Sequence, residues 1–91
     1  MSAALFLVSL RWDDETIDKL WKKHRVEWWE VEEVMFDDTS AVVRRVVDRT
    51  HGIRWLARGR TGSGRMLRIY LRPVNEREGI WACTTAWEER G

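Results

Sequence analysis

A chain of 91 residues, 44% of them hydrophobic, holds one domain over residues 1–91 with a single modest core, which excludes a two-domain enzyme. A lone cysteine, Cys83, excludes an internal disulfide and suits a reducing cytoplasm; in an apolar run with no adjacent base it reads as a buried, inert thiol. Net charge is +1, but residues 1–41 carry 5 Lys+Arg against 10 Asp+Glu while residues 42–91 carry 11 against 5, so an anionic partner belongs to the second half.

In chain order, the apolar run over residues 4–12 (ALFLVSLRW) lacks a basic flank and is too short to span a bilayer. It reads as a strand of a cytoplasmic protein without membrane contact. It runs into Trp12-Asp13-Asp14, where either aspartate can cap a helix. Over residues 14–24, Ile17, Leu20, Trp21 and His24 recur at helical spacing. A second helix over residues 28–36 sets Trp28, Val31, Val34 and Met35 on one side and the carboxylates of Glu30 and Glu33 on the other, as a solvated face. Seven tryptophans (Trp12, Trp21, Trp28, Trp29, Trp55, Trp81 and Trp87) are the expected anchors of the core. After Asp37-Asp38-Thr39-Ser40, β-like segments follow at 41–48, 53–60, 65–72 and 79–87. Their short connections favour antiparallel hairpins. The expected class is α+β: an N-terminal strand and two helices packed on one face of a mainly antiparallel sheet.

Residues 57–72 (ARGRTGSGRMLRIYLR) hold five arginines and no acid. Alternation along a strand gives 53–60 an apolar side (Ile53, Trp55, Ala57) and a basic side (Arg54, Arg58, Arg60), and gives 65–72 an apolar side (Leu67, Ile69, Leu71) opposed to Arg68, Tyr70 and Arg72. An odd-length connection unites the apolar sides and sets Arg58 across from Arg68; an even one sets Arg58 across from Leu67. The odd loop gives the helices a continuous surface, with Gly62 and Gly64 supplying positive φ. Like charges opposed across a sheet cost about 0.2–1 kcal/mol per pair, a repulsion that a polyanion over Arg58, Arg60, Arg65 and Arg68 would remove. Tyr70 and Trp81 would offer surfaces to an unstacked base. The alternative is a solvated face whose arginines pair with Glu30, Glu32, Glu33 or Asp48.

The order of Trp12-Asp13, Lys23-His24, Phe36-Asp37, Ala57-Arg58-Gly59-Arg60-Thr61 and Gly64-Arg65 resembles the BrnT family, the toxin half of a bacterial type II toxin–antitoxin pair, over roughly residues 10–87. Arg25 stands where that family usually has glycine, and residues 83–87 (CTTAW) stand where many members have a Ser-Ala-Arg-like segment. The resemblance implies a RelE-like fold, cofactor-free RNA cleavage, and inhibition by a ribbon-helix-helix antitoxin that itself binds operator DNA.

Metal-independent cleavage needs a base for the 2′-hydroxyl, cationic donors for the phosphorane and an acid for the leaving oxygen. On this reading His24, Arg60, Arg65 and Tyr70 are the catalytic candidates, and Lys23, Arg58, Arg68, Arg72 and Trp81 contact RNA. A packed or helix-capping role for His24, and an exposed turn position for His51, are the plainer readings of the two histidines. Asp13-Asp14 and Asp37-Asp38 lack calcium-loop spacing, and one cysteine with two scattered histidines makes no zinc site, so no metal is expected. The rival function is a non-catalytic RNA-binding or protein-interaction module on the same scaffold.

Overall fold

Asp13 starts the first helix. In the computed structural model, which describes residues 5–90, its carboxylate accepts the Thr16 backbone N–H at 2.7 Å and α1 runs Asp14–His24. That bond, ahead of any charged neighbour, holds the Asp13 carboxyl below its usual range. The helix stops where Arg25 turns left-handed (φ 54°), so that the N–H of Arg25 reaches the Trp21 carbonyl and that of Val26 reaches Leu20. The left-handed conformation costs a residue with a side chain about 1–2 kcal/mol.

The second helix, α2 (Trp28–Glu32), passes into a single π turn (Glu33–Asp37) closed by the Asp38 N–H on the Glu33 carbonyl at 3.2 Å. Five strands follow the order β1-β5-β4-β3-β2: β1 (Ser9–Arg11), β2 (Val42–Asp48), β3 (Gly52–Arg60), β4 (Met66–Asn75) and β5 (Ile80–Glu88). β1 runs parallel to β5 and every other pairing is antiparallel. The α+β class, with helices on one face of a mainly antiparallel sheet, therefore holds. The N-terminal strand is shorter than expected: residues 5–8 lie outside it and Ala4 lies outside the described residues. β1 pairs with β5 only as far as Ala82, and α1 packs against β5.

One apolar cluster lies between helices and sheet, with Leu20, Val31 and Val34 of the helical segments packed with Ala57, Leu67, Ile69, Leu71 and Ala86 of the strands. The expectation of a tryptophan-built core is corrected. Only Trp81 is fully buried; Trp12, Trp55 and Trp87 are half-buried, and Trp21, Trp28 and Trp29 are exposed. The inward positions of the helices go to Leu20, Val31 and Val34, whose small shapes interdigitate with the sheet, while the adjacent tryptophans are rotated toward solvent. Glu30, expected on the solvated face, is also buried. Cys83 is buried as expected, and burial pushes its thiol up to about 12. No described helix is long and apolar enough to cross a membrane.

The π turn touches β3 at Gly59. A Cβ there would lie 2.7 Å from Val34 Cγ1, 2.8 Å from Asp38 Oδ2 and 2.9 Å from Ala41 Cβ. Gly59→Ala is expected to destabilise the fold by about 1–3 kcal/mol through overpacking, read as a lower urea midpoint at unchanged m-value; an unaltered midpoint would show that the turn is not seated on the strand.

Candidate nucleic-acid interface

The connection between β3 and β4 spans residues 61–65, and its odd length sets Arg58 opposite Arg68 and Ala57 opposite Ile69. The Thr61 N–H donates to the Arg65 carbonyl at 2.9 Å and the Gly64 N–H to the Thr61 carbonyl at 3.0 Å, while Thr61 Oγ1 accepts the Arg65 N–H at 3.1 Å. Gly64 takes the positive φ (91°) that the turn requires; Gly62, also expected to, does not. Gly62 instead donates its N–H to Glu33 of the π turn at 3.0 Å, and Asp38 accepts the Arg60 N–H at 2.7 Å. The Arg60 N–H, then Ser40, hold the Asp38 carboxyl below its ordinary value.

The helices leave the other face of the sheet open. Arg44 of β2, Arg54, Leu56 and Arg58 of β3, Arg68, Tyr70 and Arg72 of β4, and Trp87 of β5 share it through strand alternation and register. Leu56 is only 2% exposed on this uncovered face. It lies in a shallow pocket of about 250 Å³ lined by Arg44, Arg58, Arg68, Val42 and Glu89, whose side chains surround it. Arg58 gives Glu89 two bonds of 2.8 Å. Arg54 places its guanidinium carbon 4.0 Å from the centre of the Tyr70 ring and lies 3.4 Å from Asp48. The Nε–H groups of Arg54 and Arg68 are buried without a hydrogen-bond partner.

A second cavity, of about 380 Å³, opens where the end of α1 meets the end of β5. Lys23, His24, Arg25, Arg65, Trp87, Glu88 and Arg90 line it. Trp87 joins the two regions: its ring centre lies 6.0 Å from that of His24 and 5.5 Å from that of Tyr70. Of the residues expected from sequence, Lys23, His24 and Arg65 thus meet in one cleft, and Arg58, Arg68, Tyr70 and Arg72 share the open face.

Three assignments need correction. Trp81 is 1% exposed and spends its indole N–H on the Phe6 carbonyl at 2.9 Å, so no base can stack on it. Arg65 does not join Arg58 and Arg68 on the open face; it bridges Glu30 at 2.8 and 2.9 Å and Glu88 at 3.2 Å, the pairing that was the plainer alternative. Burial alone would lower the Arg65 pKa, but bonding to and charge from Glu30, then Glu88, raise it. Arg60 folds back onto the Gly64 carbonyl at 2.9 Å and lines a cavity with Glu33, Asp37 and Asp38, an acidic setting that disfavours phosphate. His51 sits in the exposed β2–β3 turn, 3.4 Å from Asp48, at the opposite end of β3 from Arg58. Among the described residues no cluster of three or more His, Cys, Asp or Glu could hold a metal ion.

Sequence reasoning missed Arg44, Arg25, Arg90 and Trp87 as parts of these surfaces. For Trp87 the signal was present, because it alternates with Thr85 on β5, yet irregular pairing between Tyr70 and Leu71 hides which face that alternation reaches. No protein-family model and no curated protein sequence matches this chain.

Removing one partner of a buried ion pair costs about 3–5 kcal/mol. Arg65 keeps Glu88 and a quarter of its side chain in water, which sets the expectation for Glu30→Gln near about 3 kcal/mol, at the low end of that range. Equilibrium unfolding checks this, and a loss below about 0.5 kcal/mol, the size of an ordinary surface substitution, would deny the pair its structural role.

Proposed function

We propose that the protein is a metal-independent endoribonuclease of the BrnT-like toxin type, acting in the cytoplasm, with single-stranded RNA laid across the open sheet face and cut beside His24. The reading is carried by Trp87, which lies against the His24 imidazole on one side and the Tyr70 ring on the other. Arginines lie beyond Tyr70 on the sheet, and Lys23, Arg25 and Arg90 surround His24 in the cleft. Exposed cations attract the backbone of RNA without regard to sequence, and aromatic faces accept unstacked bases.

The chemistry divides among these groups. His24 takes the proton of the attacking 2′-hydroxyl, and water in the open cleft protonates the departing 5′-oxygen. Lys23, Arg25 and Arg90 stabilise the charge that develops on the phosphorane. Tyr70, Arg68, Arg58 and Arg72 hold the strand on either side. Arg60 and Arg65 leave the catalytic set, since backbone and carboxylate partners already engage them. A ribbon-helix-helix antitoxin covering the same arginines would block RNA and carry the pair to operator DNA. One observation favours the protein-interaction reading: carboxylates already sit on Arg58 and Arg65, next to both candidate surfaces, and weaken the attraction of each for RNA.

Purified protein incubated with single-stranded RNA in chelator is expected to release fragments ending in 2′,3′-cyclic phosphate. His24→Ala is expected to slow cleavage by about 10²–10⁴-fold while RNA binding, read by fluorescence anisotropy, is retained. Salt-sensitive binding with no cutting by the unaltered protein would select the non-catalytic reading, and absence of both binding and cutting would overturn the RNA assignment altogether.

A further inference from the structure

We infer that Arg44, Arg58 and Arg68 form a subsite for a single phosphate group, and that Glu89 occupies it as an internal competitor in the free protein. The inference rests on the RNA reading only for the source of that phosphate. Three guanidinium groups and one carboxylate line the pocket around Leu56, leaving it two positive charges in excess. Neither Arg44 nor Arg68 has an ion-pair partner within 4.0 Å among the described residues, and the buried Nε–H of Arg68 lacks any acceptor. A site with donors to spare and a single acceptor is short of negatively charged oxygen.

Glu89 supplies the one acceptor in a form close to that of a phosphate. Its two oxygens each lie 2.8 Å from an Arg58 nitrogen, the forked geometry that guanidinium also offers to two oxygens of a phosphate. The Glu89 backbone N–H on the Met66 carbonyl, at 2.8 Å, prolongs the β4–β5 ladder by one residue and delivers the side chain to the open face. About half of the Arg58 side chain remains in solvent, so the clamp is reached and displaced without opening the core. Exposed ion pairs contribute little to stability, and a phosphate that engages the unpaired Arg44 and Arg68 together with Arg58 competes well against a carboxylate held by Arg58 alone. Glu89 thus sets a threshold: a ligand must engage Arg44 and Arg68 as well as Arg58 to displace it.

The test uses the whole protein, inorganic pyrophosphate and a fluorescein-labelled single-stranded RNA, each titrated by calorimetry or anisotropy at fixed salt. Glu89→Gln is expected to bind pyrophosphate about tenfold more tightly, a change of roughly 1.4 kcal/mol. The gain should vanish in the double variant Arg58→Gln, Glu89→Gln. Glu76→Gln removes an equal charge beyond the far end of β4 and should leave affinity unchanged. Circular dichroism of each variant confirms folding. A pyrophosphate affinity unmoved by Glu89→Gln, a gain that survives loss of Arg58, or an equal gain in Glu76→Gln would overturn the subsite. Tighter pyrophosphate binding with no RNA binding by any variant would support the subsite and sink the RNA reading; RNA binding with no change in pyrophosphate affinity would do the reverse.

Discussion

The loop at residues 61–65 fixes the parity with which β3 meets β4, and both surfaces of the sheet follow from that parity. With five residues between Arg60 and Met66, Ala57 and Gly59 join Leu67, Ile69 and Leu71 toward the helices, and Arg58 faces Arg68 outside. Opposed arginines cost about 0.2–1 kcal/mol. Burial of a single leucine or isoleucine returns about 1.5–3 kcal/mol, and Leu67, Ile69 and Leu71 are all fully buried. The apolar face therefore decides the register, and the repulsion outside is its tolerated consequence. Glu33 of the π turn and Asp38 just after it accept the backbone N–H groups of Gly62 in the loop and of Arg60 at the end of β3, so the segment that seats on Gly59 also guards the parity.

Arginine does two kinds of work in this protein, and the surroundings separate them. Arg65 is tied to buried Glu30 and to Glu88, joining α2 to the edge of the sheet, and its positive charge is already balanced. Arg44 and Arg68 have no such partner among the described residues, and Arg58 holds its carboxylate at the surface. Burial of the carboxylate marks the difference: Glu30 is enclosed, whereas Glu89 stays within reach of water and of ligands. A count of arginines cannot make that distinction, because it depends on which glutamates the helices carry inward.

Local pattern made much of the fold legible. The Asp13 cap, the helix to His24, the antiparallel hairpins of the later strands and the odd loop all follow from spacing that neighbours in sequence impose. What escaped depends on contacts between distant segments. Glu30 looked solvated because it was grouped with Glu33 as a carboxylate of the polar side, whereas its bonds to Arg65 and to the Glu27 N–H make its burial tolerable. Trp81 looked available because β5 has no internal mark of which face its residues take; its partner, the Phe6 carbonyl, lies 75 positions away. Tryptophans marked the core poorly, since size raises the area available for burial without choosing the direction. The meeting of His24 with Trp87 was equally out of reach, as it requires the packing of α1 against β5.

The cross-strand register is open to direct measurement by solution NMR on isotopically labelled protein. Nuclear Overhauser contacts between the backbones of β3 and β4 are expected to pair Arg58 with Arg68 and Ala57 with Ile69. Contacts pairing Arg58 with Leu67 or Ile69 would mean an even connection, would turn the arginines of one strand toward the helices, and would contradict the account of both faces.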